Sequence, residues 1–176
     1  MTNSTSRLTQ MIQDTPHCLA AFRHGQTAWN VADRLTTTTD IPLTDFGRAQ
    51  PEKLAEALAP IEFDFVSASP LKRAFVTAEL SCAGMEEPPE IVADKRLMEP
   101  AGGIFEGVVF DELYNGEMSE AFHLYQDETN PVTPEGAEDI KESTKKSEEL
   151  RTEAAASPGR HLMFSHGAFL RNMATV

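Results

Sequence analysis

Three short stretches of the chain combine arginine or histidine with small residues, a composition suited to binding and attacking an anion. Residues 23–25 are Arg-His-Gly, residues 67–73 are Ser-Ala-Ser-Pro-Leu-Lys-Arg, and residues 165–167 are Ser-His-Gly. An arginine offers a planar fork of donors that suits a phosphate or a carboxylate. A histidine carries a titratable nitrogen that can act as nucleophile or proton carrier. The three stretches therefore predict attack on an anionic substrate, although the first one alone would equally fit a surface Arg-His pair in a loop.

Each of these stretches comes at the end of a predicted core strand. Three segments have the length of buried strands: an apolar run at 18–22, a segment at 61–68 that alternates before it becomes apolar, and a segment at 160–165. The segments between them have helical patterns, and this alternation is typical of right-handed βαβ units in a largely parallel sheet. Ligands bind just beyond the carboxyl ends of such strands, which lie at one edge of the sheet. We therefore expect the arginines and histidines of distant segments to meet at that edge.

Two predicted helix starts bear on the position of these side chains. Thr44 is a predicted N-cap of a helix that contains Pro51, which should kink or restart the helix because proline lacks an N–H donor. Ser69 is a predicted N-cap with Pro70 at the first helical position, and this second helix should run to about Ser81. The N-terminus of the second helix would add a positive field at the strand end.

Length and cysteine content favour one ordinary globular domain. The chain has 176 residues, and residues 1–16 are polar, which predicts a flexible N-terminal tail. No apolar run approaches the roughly 20 residues of a membrane span, and the tail lacks the apolar segment of a secretory signal. Cytoplasmic residence is therefore the default expectation. Cys18 and Cys82 are too few for a disulfide scaffold and do not form a metal motif.

The formal net charge of −13 limits the kinds of partner. Neither nucleic acid nor an anionic membrane is expected to bind, because a polyphosphate backbone requires a basic protein face. If the substrate is an anion, a small number of cations must be concentrated in one pocket.

The motifs resemble those of the histidine phosphatase superfamily, branch 1, the phosphoglycerate mutase-like proteins. The family signature Arg-His-Gly-x-Ser/Thr corresponds to residues 23–27, and the resemblance extends over roughly residues 18–172. Further matches lie, in the family's order, at residues 40–47, 69–78, 105–107 and 165–167.

The resemblance implies catalytic roles for five residues. His24 would be the nucleophile, forming a phosphohistidine that water then hydrolyses. Arg23, Arg73 and His166 would bind the equatorial oxygens of the phosphoryl group, a reaction that depends mainly on positioning and charge stabilisation. Glu99 would protonate the leaving oxygen and later assist the attacking water. The scheme needs no metal ion and no organic cofactor.

The resemblance also implies substrate contacts, and it leaves two carboxylates as candidates for the proton donor. Thr27, Asn30 and Thr36 occupy positions where the family supplies additional phosphate contacts. Glu106 lies near enough in sequence to compete with Glu99 for the role of proton donor. Glu99 is favoured, because Glu106 falls in the structural Glu-Gly turn of the family.

The fold implied by the resemblance is a three-layer α/β/α sandwich with a mostly parallel sheet, formed by residues 17–176. Members of the family typically continue beyond the position of Val176 with the rest of a helix and another strand, so the sandwich could lack C-terminal elements. In that case a partner, for example a second copy in a homodimer, could cover the exposed surface.

The predicted activity is hydrolysis of small phosphomonoesters. Mutases of the family carry Arg-His-Tyr-Gly after the acidic residue, whereas residues 100–103 here are Pro-Ala-Gly-Gly, without a cation or a tyrosine. Transfer between hydroxyl groups, as in a phosphoglycerate mutase, is the first alternative. A catalytically weak phosphate-ester-binding protein is the second, because Thr37 replaces a usual glycine and Pro51 interrupts a helix expected to be continuous.

Overall fold

The sheet is entirely parallel in the part of the chain that the structure describes. A computed structural model describes residues 3–127 and 129–175, and in them the strands are β1 (Cys18–Arg23), β2 (Phe65–Ala68), β3 (Ile91–Ala93) and β4 (Arg160–Ser165). Their order across the sheet is β1-β4-β2-β3, and every neighbouring pair is parallel. The predicted parallel α/β architecture is confirmed.

Helices connect and cover the strands. None of the helices in the described ranges has the length and the apolar character needed to cross a membrane. Short 3₁₀ turns occupy Lys95–Leu97 and Gly103–Phe105. The helices are α1 (Asn3–Gln13), α2 (Ala28–Val31), α3 (Asp45–Leu58), α4 (Lys72–Cys82), α5 (Phe110–Asn115), α6 (Ser119–Gln126), α7 (Ile140–Ala156) and α8 (Gly167–Thr175).

The central strand β4 divides two apolar cores, since successive side chains of a strand point to opposite faces. On one face, Leu162 and Phe164 belong to a core that includes Leu58 of α3. On the other face, Met163 packs in a core with Phe169 of α8, to which α7 also contributes. The sheet therefore lies between two helical layers, as expected for a three-layer sandwich.

The N-terminal segment differs from the predicted flexible tail. Residues 3–13 form α1, and Ile12 is buried against the first core. The Thr9 hydroxyl donates to the Ala57 carbonyl (2.8 Å), and Arg160 Nε donates to the Ile12 carbonyl (3.2 Å). The tail prediction is wrong for this helix, because its few apolar side chains pack against the core. Residues 1–2 lie outside the described residues.

The predicted cap of α3 is confirmed, but the helix does not restart at Pro51, one of the two outcomes expected there. The Thr44 hydroxyl accepts a hydrogen bond from the Gly47 N–H (3.0 Å), and α3 runs through Pro51 as one helix. Proline leaves the carbonyl four residues earlier without its usual helical donor. That carbonyl belongs to Gly47, which is packed directly against Gly25.

The second predicted cap, Ser69, is wrong. Helix α4 begins at Lys72, with Leu71 at the N-cap position and no side-chain cap. The Ser69 N–H donates to the Phe164 carbonyl (2.9 Å), so this residue still continues the sheet. The helix therefore starts later than the Ser-Pro pair indicates.

The loop after β1 is held in place by two glycines that touch. A Cβ on Gly25 would collide with the carbonyl of Gly47, and a Cβ on Gly47 would collide with the backbone of Gln26. The backbone beside His24 can therefore take its position only while both residues lack a side chain.

Replacing one of these glycines should destabilise the fold. We expect Gly47→Ala to lower the free energy of unfolding by about 1–3 kcal/mol, the usual cost of overpacking, measured as a lower urea midpoint at constant m-value. Gly84→Ala is the matched control, because the nearest atom to a Cβ there is 3.5 Å away. Equal midpoints for the two variants would show that the contact between Gly47 and the backbone of Gln26 is not tight.

Candidate active site

The ends of β1 and β4 bring two imidazole groups together. Strand register places Arg23 beside Ser165, so His24 and His166 follow at the same edge of the sheet. The ring centres of the two histidines are 5.1 Å apart. Arg73, on the helix that follows β2, donates from Nε to His166 Nδ1 (3.2 Å). Cationic and imidazole side chains therefore lie together at this edge of the sheet, as the sequence predicts.

The environment of His24 fixes its protonation. The side chain is 8% exposed, and Nδ1 lies 2.7 Å from the Gly25 carbonyl oxygen. A carbonyl can only accept, so Nδ1 carries the hydrogen and Nε2 keeps its lone pair. Burial lowers the pKa of His24 to about 4, with the nearby Arg73 and Arg23 contributing and the bond to Gly25 opposing. At neutral pH the ring is therefore an uncharged base with its Nε2 lone pair unprotonated.

His166 is also neutral but is held on both nitrogens. Its Nδ1 accepts from Arg73, so Nε2 carries the hydrogen and donates to the Ser69 hydroxyl (2.8 Å). Burial, followed by the charge of Arg73, lowers the pKa of His166 to about 2. In this arrangement the ring orients Arg73 and Ser69. Binding of a phosphoryl oxygen, the role that the resemblance implies, would require the Nε2 hydrogen to leave Ser69.

Arg73 is a fully buried cation with three directed hydrogen bonds. Besides the bond to His166, Nη1 donates to the Thr39 carbonyl (2.9 Å) and Nη2 to the Thr37 carbonyl (2.5 Å). Burial lowers the pKa of Arg73, and the carboxylate of Glu99 is the strongest opposing group. A guanidinium stays protonated in proteins, so the site contains a fixed positive charge.

Arg23 and Asn30 border the cleft that opens beside His24. The cleft has a volume of about 420 Å³. Arg23 is exposed, and its Cζ lies 3.5 Å from the place that a Cβ on Gly167 would occupy, so it lies close to the start of α8. Asn30 Oδ1 accepts from the Thr27 N–H (2.9 Å), which leaves the Asn30 amide hydrogens as donors for a ligand.

The two threonines predicted to contact phosphate have other partners. The Thr27 hydroxyl is buried, donates to Asn30 Oδ1 (3.0 Å) and caps α2. The Thr36 hydroxyl donates to the Arg34 carbonyl (3.3 Å). The geometry thus assigns Thr27 to the support of Asn30, and it assigns the Thr36 hydroxyl to the backbone of its own loop.

Glu99 lies at the N-terminus of α8. The residue is 9% exposed, and its carboxylate accepts from the Ala168 N–H (3.0 and 3.1 Å) and the Phe169 N–H (3.1 Å). Burial raises the pKa of Glu99, although these N–H groups and the charges of Arg23 and Arg73 oppose the shift. A raised pKa favours the protonated form of this carboxyl, which is the form that can donate a proton.

Glu106 has the opposite character. It accepts from the Thr37 N–H (3.1 and 3.2 Å), the Thr39 N–H (3.0 Å) and the Thr37 hydroxyl. Burial alone would raise the pKa of Glu106, but these hydrogen bonds outweigh burial and lower it. An ionised carboxylate committed to a loop is a structural group, so the geometry favours Glu99 as proton donor.

Thr37 and Ser69 are site residues whose roles the sequence does not reveal. The Thr37 carbonyl binds Arg73, while its hydroxyl bonds Glu106 and accepts from the Gly102 N–H (2.9 Å). The one available signal is that Thr37 replaces a usual glycine of the family. The added hydroxyl supports the loop and leaves the carbonyl in place for Arg73. The pattern around Ser69 indicates a helix cap, whereas its hydroxyl accepts a hydrogen bond from His166 Nε2.

The assembled groups have the chemistry needed to handle a tetrahedral oxyanion. Arg23 and Arg73 supply two positive charges. His24 supplies an unprotonated nitrogen, and both charges lower the pKa of its ring. The same two charges also lower the pKa of Glu99, against the effect of burial. Binding, nucleophilic attack and proton transfer can therefore take place within one site.

Comparison with known proteins gives consistent matches. The sequence matches the family described as histidine phosphatase superfamily (branch 1) over residues 19–175. An acid phosphatase of Mycobacterium tuberculosis is 33% identical over 103 residues, which cover 57% of this chain and 48% of that protein. The chain spans about half the length of the curated relatives it matches.

Two solved structures extend the likeness to the fold. A phosphoserine phosphatase of Entamoeba histolytica is similar with a TM-score of 0.72 and 28% identity, covering 89% of this chain and 77% of that one. A phosphoglycerate mutase of Thermus thermophilus gives a TM-score of 0.68 and 28% identity, covering 88% and 80%. The relatives thus include phosphatases and mutases. Sequence and fold together place the chain in branch 1 of the histidine phosphatase superfamily.

Proposed function

We propose that the protein is a metal-independent phosphomonoester hydrolase that acts on small phosphorylated metabolites through a phosphohistidine on His24. The observation that carries the proposal is the state of His24: buried, unprotonated, and near two guanidinium groups. A neutral nitrogen can attack phosphorus only with its lone pair, and Nε2 provides one.

In the first step, His24 Nε2 forms a bond to phosphorus while the bond from phosphorus to the ester oxygen breaks. Arg23 and Arg73 balance the charge on the equatorial oxygens, which is the main protein contribution to phosphoryl transfer. Positive charge develops on the imidazole as the N–P bond forms. The Gly25 carbonyl, which accepts from Nδ1 at 2.7 Å, stabilises that charge.

Glu99 completes both steps by moving one proton. Its protonated carboxyl gives the proton to the departing alcohol oxygen, which leaves as an alcohol. The resulting carboxylate takes a proton from the water that attacks the phosphohistidine, and inorganic phosphate and free His24 are regenerated. The raised pKa of Glu99 supports this cycle, because the acid form is accessible.

Hydrolysis is favoured over transfer to a second hydroxyl group. Pro100 and Gly102, which follow Glu99, line the neighbouring cavity without contributing a cation. A mutase must hold its phosphorylated intermediate against water. Among the residues that line this cavity the cation is Arg171, and it already has an interaction within the fold.

The proposal is tested by hydrolysis of p-nitrophenyl phosphate in EDTA. We expect turnover by the unmodified chain, loss of activity in His24→Ala, and an acid-labile, base-stable phosphoenzyme only where His24 is present. His123→Ala is the matched control, because that side chain is exposed and its Nδ1 donates to the Ser119 carbonyl (2.7 Å) of the same helix. Full activity in His24→Ala would refute the mechanism; interconversion of 3- and 2-phosphoglycerate would indicate a mutase, and ligand binding without turnover a binding protein.

The pH dependence of kcat/KM should show an acidic optimum. The pKa of His24, lowered to about 4, keeps the nucleophile active until the pH falls to that range. The pKa of Glu99, raised by burial, preserves the proton donor above its ordinary range, and activity should then fall as the pH rises further. The ionisation of the substrate phosphate near pH 6 affects every variant equally. An inflection of the acid limb near pH 6.5 that keeps its position for a substrate whose phosphate ionises at lower pH would mean that His24 titrates normally.

Glu99→Gln should discriminate between leaving groups. We expect kcat/KM for ethyl phosphate to fall by about 10²–10⁴, the usual contribution of a general acid. The fall for p-nitrophenyl phosphate should be much smaller, because nitrophenolate leaves without a proton. Glu106→Gln is the matched control and should affect both substrates equally, since it acts through the loop of Thr37 and Thr39. Equal losses for the two substrates in Glu99→Gln would remove Glu99 from the role.

A further inference from the structure

A second cavity, of about 560 Å³, is bordered by Glu99 and shares no lining residue with the cleft beside His24. Leu35, Tyr125 and Ile140 contribute to its walls, and Ala168 lies next to Glu99. Its size is that of a typical small-molecule site.

The walls of the cavity expose more carbon than polar atoms, although Thr37, Gln126, Arg171 and Asn172 also line it. The Tyr125 hydroxyl donates to the Glu138 carbonyl (3.0 Å), so the part of Tyr125 that lines the cavity is its aromatic ring. Ser143 is buried, and its hydroxyl accepts from Asn172 Nδ2 (3.0 Å). Arg171 lines the cavity but already has an interaction within the fold.

The chemistry of the reaction directs the alcohol part of the substrate toward this cavity. In an in-line displacement the nucleophile and the leaving oxygen lie on opposite sides of phosphorus. His24 borders the cleft, whereas Glu99, which must reach the leaving oxygen, borders the cavity. A phosphoryl group held between them therefore points its ester oxygen to the cavity.

We propose that the cavity beside Glu99 binds the alcohol part of the substrate and that the preferred substrates are phosphomonoesters of extended apolar alcohols. The inference rests on the proposed function and gives it a substrate class. Burial of each additional methylene in an apolar site lowers the dissociation constant about fourfold. Specificity should therefore increase with the length of an alkyl chain.

The test compares kcat/KM for ethyl, butyl and hexyl phosphate with that for 2-phosphoglycolate. We expect about a threefold to fourfold rise per methylene, and 2-phosphoglycolate should be a poorer substrate than ethyl phosphate. Ile140→Asp introduces a charge into the wall, and it should reduce the ratio of hexyl to ethyl phosphate by roughly tenfold or more, the effect of losing about two buried methylenes. Ile140 is the first residue of α7, where an acidic side chain suits the helix N-terminus, but it also packs against the core of Phe105 and Phe122. The urea midpoint of the variant therefore checks that it folds.

Val132→Asp is the matched control, because Val132 is 52% exposed and lies outside the cavity. It should leave the ratio unchanged. A flat dependence on chain length, a preference for 2-phosphoglycolate, or an unchanged ratio in Ile140→Asp would each overturn the proposal.

A binding measurement separates this inference from the proposed function. Ethyl and hexyl phosphonate cannot be hydrolysed, so calorimetry reports their binding without turnover. Tighter binding of hexyl phosphonate, reduced by Ile140→Asp, supports the cavity even if no ester is hydrolysed. Hydrolysis that depends on His24 but shows no preference for apolar alcohols leaves the proposed function standing and refutes the inference.

Discussion

The buried charge of Arg73 is the constraint on which the site depends. A cation removed from water is costly unless its donors are satisfied, and a guanidinium cannot escape by losing its proton. The fold meets this requirement with the carbonyls of Thr37 and Thr39 and with Nδ1 of His166. The loop after α2, helix α4 and the end of β4 are thereby joined through one side chain. Glu106 also binds this loop, through the N–H groups of the same two threonines, and so helps to hold their carbonyls toward Arg73.

Burial separates the protonation states of His24 and Glu99, the two groups to which the proposed mechanism gives the reaction. His24 and Glu99 have ordinary pKa values that lie within a few units of each other. Burial lowers the pKa of the imidazole, because its acid form is charged, and raises that of the carboxyl, because its base form is charged. Arg73 adds to the first shift and opposes the second. The result is a base that is free at acidic pH and a carboxyl group whose protonated form is favoured by burial.

The sheet and the meeting point of the main site residues could be predicted from the sequence for a physical reason. Apolar runs long enough for core strands end in His24 and His166, and parallel strands align their carboxyl ends. Arg73 could be placed because it follows the end of β2 by a few residues. The features that could not be predicted depend on contacts between distant segments. Examples are the docking of α1 through Ile12 and the engagement of Ser69 by His166 ahead of α4.

The balance between global and local charge explains why the cations must be held so firmly. At a net charge of −13, the long-range field of the protein repels an anionic ester. Salt screens that field over about 8–10 Å at physiological ionic strength, so the binding of an anionic ester depends on charges close to the binding surface. In the proposed mechanism, Arg23 would meet the ligand first at the open cleft, and Arg73 would contribute from a position that water cannot reach. Because a buried charge is screened far less than an exposed one, a single fixed guanidinium can outweigh many distant carboxylates.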